Sequence, residues 1–118
     1  MITGTGIDLI ELDRIEKSGT RLAVRILTKQ EFVRYNELKG RRQVEYLAGR
    51  FAVKEAYAKA KGCGIGASLS FQDIETEYEA GGRPTLKAPG AEETVHVSIS
   101  HSRMFACAHV VIEKGSSR

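Results

Sequence analysis

The stretch RQVEYLAGRFAVKEAYAKAK, residues 42–61, decides the fold. It contains no proline and is rich in residues that lose little freedom in a helix. At about 100° per residue, Val44, Ala48 and Phe51 form one apolar stripe, while Gly49, Val53, Ala56 and Ala60 form a second side. A helix that is apolar or small around most of its circumference is expected to be buried on more than one face. Gly62 is a natural left-handed stop, and the GCGIG stretch at 62–66 continues as a turn. One residue disturbs the pattern: Glu55 falls between Phe51 and Ala48 on the apolar stripe, with Lys59 one turn later.

On the N-terminal side, ITGTGID at 2–8 alternates as a small-residue strand ending near Asp8. Its glycines point to close approach by another backbone or a ligand. ELDRIEKSG, 11–19, fits a short helix with Leu12 and Ile15 inward, stopped by Gly19. TKQE at 28–31 has the form of a capping box, with Thr28 at the N-cap and Glu31 at N3. A helix through FVRYNELK should follow, closed by Gly40. On the C-terminal side, DIETEY and TLKA form strands around an AGGRP turn, and VHVSIS and FACAHVVIE form strands around HSRM. One early strand, then helices, then hairpins make an α+β protein, its mainly antiparallel sheet wrapped around the long central helix.

At 118 residues the chain is read as a single domain, 1–118. Its 42% hydrophobic and 28% charged residues describe an ordinary globular protein, and the terminal KGSSR reads as a frayed end. No apolar run reaches the roughly 20 residues that span a bilayer, and the N-terminus lacks the form of a signal peptide, so no membrane is expected and the cytoplasm is the default. Cys63 and Cys107 lack zinc spacing and read as reduced thiols. The formal charge of +3 favours an anionic partner. A nucleic-acid module is disfavoured, because aromatics are sparse and not interleaved with the basic residues.

Three features could carry chemistry. Asp8 ends a Gly-rich strand; it is either the N-cap of the following helix or a ligand. Glu55 needs a partner, since an unpaired buried carboxylate is costly. Lys59 could be that partner, or the two acids could share Mg²⁺, which takes one or two carboxylates together with phosphates. Arg50, Lys54 and Lys61 cluster on the wheel, either as a solvated face or as cations for a phosphorylated ligand. SISHSR lacks a nucleophile elbow, which sets aside a serine hydrolase, though His101 could still meet a phosphate. His96 and His109, within strands, read as structural or surface residues. A Mg²⁺-dependent nucleotide hydrolase would use the same carboxylates.

GTGIDLIELDRI together with LAGRFAVKEAYAKAKGCGIG resembles the holo-[acyl-carrier-protein] synthases, the short class of phosphopantetheinyl transferases. The family pattern is a GID segment with a following RI pair, then an F-x-x-KEA-x-x-KA helix; here these are Gly6–Asp8, Arg14-Ile15 and Phe51–Ala60. LSFQDIE, GGRP and VHVSISH resemble further family segments in the same order. The resemblance implies the phosphopantetheinyl transferase fold and transfer of 4′-phosphopantetheine from coenzyme A to a serine of apo acyl carrier protein. Adenosine 3′,5′-bisphosphate would be released, and the carrier activated for fatty acid synthesis.

It also implies Asp8 and Glu55 as Mg²⁺ ligands, with Lys59 on the phosphates and Glu55 expected to reach toward Asp8. Glu55 or a metal-bound water would take the serine proton. Arg50, Lys54, Lys59, Gly62, Gly64, Pro84 and His101 are implied to line the coenzyme A site. Arg14, Arg21, Leu22 and Arg25 are implied to dock the acidic carrier. Short members of the family are typically homotrimers with sites between subunits.

Overall fold

The computed structural model describes residues 1–66, 68–89 and 92–115. In chain order the elements are β1 (Ile2–Glu11), α1 (Leu12–Ile26), α2 (Lys29–Glu37), α3 (Gly40–Lys61), a 3₁₀ turn (Phe71–Asp73), β2 (Glu75–Tyr78), β3 (Pro84–Lys87), β4 (Glu93–His101) and β5 (Phe105–Lys114). The strands form one sheet in the order β1-β5-β4-β3-β2, and every neighbouring pair is antiparallel. Residues 116–118 of the expected frayed end lie outside the described residues.

The long helix is packed on two sides, as its circumference requires. Toward the sheet, Ala52, Val53, Ala56 and Tyr57 meet Val97, Ala108, Val110 and Ile112. On the other side, Leu47 and Ala48 meet Leu12, Ile15, Ala23, Ile26 and Tyr35, with Val44 and Phe51 against them. Each large apolar side chain so buried contributes about 1.5–3 kcal/mol. The strand glycines have a steric explanation. A Cβ built on Gly4 would lie 2.0 Å from the Ala60 carbonyl oxygen, and one on Gly6 would lie 1.9 Å from that of Ala56. No side chain fits there, so β1 lies directly on the α3 backbone.

Three boundaries differ from the sequence expectation. β1 runs beyond Asp8 to Glu11, because β5 pairs with it as far as Glu11 opposite Phe105. Asp8 is therefore a strand residue and not a helix cap. The N-cap of α1 is Glu11, which makes no side-chain capping bond, and Leu12 N–H donates to Met104 O at 2.9 Å.

At Gly19 the backbone leaves the helix (φ 52°, ψ −137°), but helix resumes to Ile26. The second segment is sustained by burial of Ala23 and Ile26. α2 ends at Glu37, and Gly40 opens α3 with φ 61° instead of closing α2. The capping box of α2 forms as read: Glu31 N–H donates to Thr28 Oγ1 at 3.3 Å and Thr28 N–H to Glu31 Oε1 at 3.0 Å. Gly62 caps α3 in the left-handed region, φ 75°.

Candidate active site

Strand alternation turns Gly4, Gly6 and Asp8 toward α3, while Ile7 and Leu9 point away and are 60% and 63% exposed. With β1 pressed on the helix, Asp8 meets the last turns of α3. Its Oδ1 accepts a 3.0 Å bond from Lys59 Nζ, which also donates to Ile7 O at 3.0 Å. Asp8 Oδ2 is buried and has no hydrogen-bond partner among the described residues. Glu55 stands half-buried nearby. Burial, then the negative charge of Asp8, push its carboxyl above the ordinary glutamate range, and Lys59 partly offsets them. Lys59 thus pairs with Asp8 instead of forming the simple i, i+4 pair with Glu55.

Two acids with one exposed lysine leave net negative charge and one unsatisfied buried oxygen. A divalent cation corrects both. Among the described residues no three metal-ligating side chains gather, which excludes an all-protein cage there. Mg²⁺ needs none, since it takes one or two carboxylates and leaves its other positions to water and phosphate. The donor set therefore fits Mg²⁺.

A separate cleft of about 840 Å³ opens between α2, the first half of α3 and the β2–β3–β4 side of the sheet. Its wall is mixed in charge: Arg34, Arg42, Arg50 and His101 stand among Glu31, Glu45, Glu75 and Glu77. Arg50 is only 4% exposed. Its guanidinium carbon lies 4.4 Å from the Tyr46 ring centroid and 5.4 Å from that of Tyr78, and it donates to the Tyr78 hydroxyl. Stacking between aromatic faces holds the planar group in one orientation. Its Nε is buried without a partner among the described residues. His101 Nδ1 is 3.6 Å from Glu45 Oε2, a contact that is ionic only when the imidazole is protonated. A guanidinium fixed in this way, with the His101 imidazole on the same wall, can hold a phosphate or another anion.

Residues 4–112 match the family model described as the 4′-phosphopantetheinyl transferase superfamily. The chain belongs to this superfamily. Within it the transferase is similar to holo-[acyl-carrier-protein] synthases. That of Geobacillus kaustophilus is 54% identical over 117 residues, covering 97% of this chain and 91% of that one. That of Anoxybacillus flavithermus is 49% identical over 120 residues, covering 99% and 100%. The crystal structure of a holo-(acyl-carrier-protein) synthase from Bacillus anthracis, in complex with CoA (3′,5′-ADP), is 52% identical to the chain. It matches with a TM-score of 0.93 over 98% of this chain and 99% of that one. The chain is an enzyme of the holo-[acyl-carrier-protein] synthase family.

In this transferase the expected site residues fall into separate groups. Arg50, Pro84 and His101 line the cleft. Asp8, Glu55 and Lys59 gather at the β1–α3 contact and do not line it. Gly62 and Gly64 form an exposed turn at the end of α3, about 18 Å along the helix from Arg50 at 1.5 Å per residue.

Lys54 corrects the reading of one basic helix face. It is fully buried and donates to Ile26 O at 2.6 Å, Glu31 Oε1 at 2.7 Å and Phe71 O at 3.0 Å. All three of its hydrogens are used inside the fold, so none is left for a ligand. Burial lowers its pKa from the ordinary lysine value, and Glu31 partly restores it. Lys61 instead pairs with Glu93 at 2.9 Å.

Arg14, Arg21 and Arg25 are exposed on α1, whereas Leu22 is half-buried against the helical cluster. Tyr46, Tyr78, Glu45 and Glu31 were not singled out as site residues from sequence. Tyr46, one turn before Arg50, was legible as its i−4 neighbour; Tyr78 reaches Arg50 only through the tertiary fold.

Proposed function

We propose that this enzyme transfers 4′-phosphopantetheine from coenzyme A to a serine hydroxyl of apo acyl carrier protein. Adenosine 3′,5′-bisphosphate is released, and Mg²⁺ is required. The observation that carries the reading is the buried, unpartnered Asp8 Oδ2 beside Glu55, in a chain of this family. Asp8 and Glu55 would hold the Mg²⁺, which supplies charge neutralisation to the coenzyme A pyrophosphate.

The remaining work falls to the chain's own groups. Arg50, held between its two tyrosines, and His101 take anionic groups of coenzyme A in the cleft. Lys59, exposed at its tip, faces the pyrophosphate from the Asp8 side. The serine Oγ forms a bond to the β-phosphorus while that phosphorus loses its bond to the oxygen of adenosine 3′,5′-bisphosphate. Glu55 is the carboxylate of this chain that would accept the serine proton.

The acids and the cleft lie apart in one protomer. Asp8 pairs with Ala108, which pairs with the cleft residue Ile99, a separation of two strands or roughly 10 Å. A homotrimer that covers the outward apolar face of Ile7, Leu9 and Phe105 and completes each site from two subunits accounts for both features. The carrier would dock on α1 through Arg14, Arg21 and Arg25 beside Leu22, positive charge meeting an acidic helix. The whole chain is read as one phosphopantetheinyl transferase domain in the cytoplasm.

Mass spectrometry of apo carrier protein incubated with enzyme, coenzyme A and Mg²⁺ tests the reading. A gain of one phosphopantetheine is expected, together with its loss on Asp8→Ala or Glu55→Ala. No gain on a competent carrier would sink it.

A further inference from the structure

One carboxylate and one ammonium at the back of the cleft join five segments of the chain. Lys54 Nζ ties α3 to the end of α1 through Ile26 O and to the 3₁₀ turn through Phe71 O. Its third bond goes to Glu31 Oε1, which also accepts from Thr28 N–H at the start of α2. The other oxygen, Glu31 Oε2, accepts a 3.0 Å bond from the backbone N–H of Thr76 in β2. Both side chains are almost wholly shielded from water, 0% exposed for Lys54 and 2% for Glu31. Thr28 reinforces the link through its hydroxyl, which donates to Glu75 in the same strand.

Three of the segments that the pair joins, α2, α3 and β2, are walls of the cleft. Glu31, Glu75, Thr76 and Tyr78 line it, and Arg50 lies one turn before Lys54 on α3. Arg50 is held in place by Tyr78, two residues beyond Thr76. β2 is short, and it pairs through its own length only with β3. The edge strand that holds the guanidinium is thus fixed to the helices by the carboxylate of Glu31.

We infer that Lys54 and Glu31 are positioning residues for coenzyme A binding. Their buried ion pair sets the place of β2, and through Tyr78 the orientation of Arg50 in the cleft. Both oxygens of Glu31 are taken by Thr28, Lys54 and Thr76, so the pair acts through Arg50. The inference rests on the reading that coenzyme A occupies this cleft.

Steady-state kinetics with separate variation of coenzyme A and carrier protein test it, with Arg50→Ala as the reference for the cleft. The double variant Lys54→Met/Glu31→Leu removes both charges together, so it leaves no unpaired buried ion. It is expected to melt cooperatively and to raise the KM for coenzyme A about tenfold, the scale of one lost charge-assisted hydrogen bond. The carrier KM and kcat should stay within about twofold, because the change is confined to binding of one substrate. If the double variant does not fold, Glu31→Gln keeps the shape of the side chain and carries the same comparison, with a smaller rise. A folded variant with an unchanged coenzyme A KM, alongside a raised one in Arg50→Ala, overturns the positioning role alone. An unchanged KM in Arg50→Ala overturns the cleft reading, and this inference with it.

Discussion

Glu55 stands in the apolar stripe of its helix because that stripe runs out from under the helical cluster to the contact with β1, where Asp8 arrives. The folded state holds its carboxyl proton more tightly than the unfolded chain does. Stability from that proton is fully present below the unfolded pKa and is lost as pH rises through the raised folded value. In metal-free buffer, Glu55→Gln is therefore expected to raise the melting temperature at neutral pH, with the gain vanishing in acid. Calorimetry across that range checks it, and a gain independent of pH would contradict the assignment. With Mg²⁺ present, the same variant should lose at least about 100-fold in turnover.

Glu31 shows what sequence can and cannot reveal about one residue. Its capping role was legible because both partners lie within four positions. Its pairing with Lys54 spans 23 positions and exists only once α3 packs beside α2. Local spacing therefore placed Lys54 with Arg50, when tertiary packing assigns them opposite tasks. Lys54→Met alone, which strands the Glu31 carboxylate, should cost about 3–5 kcal/mol in urea unfolding. The double substitution should cost much less.

Among the elements, the long helix was readable because its composition demands burial on more than one face and Gly62 stops it, whereas its start at Gly40 was read as the end of α2. The hairpins were readable from alternation. The kink of α1 was only half readable: Gly19 announced a break, but the helix resumes because Ala23 and Ile26 find a core there, which no local pattern encodes. The strand glycines were legible as a close approach without their partner being named.

Gly6→Ala brings a methyl group onto the Ala56 carbonyl oxygen, and β1 must lift from α3. A loss of at least ~1–3 kcal/mol is expected in chemical denaturation. The transfer rate, measured well below the unfolding midpoint, should fall further than the folded fraction, since Asp8 sits two residues along the displaced strand.

At the scale of the molecule, the sequence conveyed the layering of the fold but not that the expected site residues fall in two places. The positions of Asp8 and Arg50 within one protomer depend on strand order, and strand order is set by long-range pairing. The outward face of β1 and β5 exposes Ile7, Leu9 and Phe105, a patch that an isolated protomer would leave to water. Leu9→Glu is expected to shift the sedimentation coefficient toward that of a monomer and to abolish turnover while the far-ultraviolet spectrum is retained. A monomeric variant with full activity would refute sites shared between subunits.

At Gly4 and Gly6 the contact between β1 and α3 is made by peptide groups, with no side chain between them. Side chains can change rotamer and yield; peptide groups at van der Waals distance cannot. The separation of the two backbones that carry Asp8 and Glu55 is thus held by close contact of peptide groups, and the core can soften or stiffen with little effect on it. Conservative exchanges among Val53, Val97 and Ile112 should move the melting temperature and leave turnover nearly constant. In this molecule robustness to heat and competence in catalysis can vary independently.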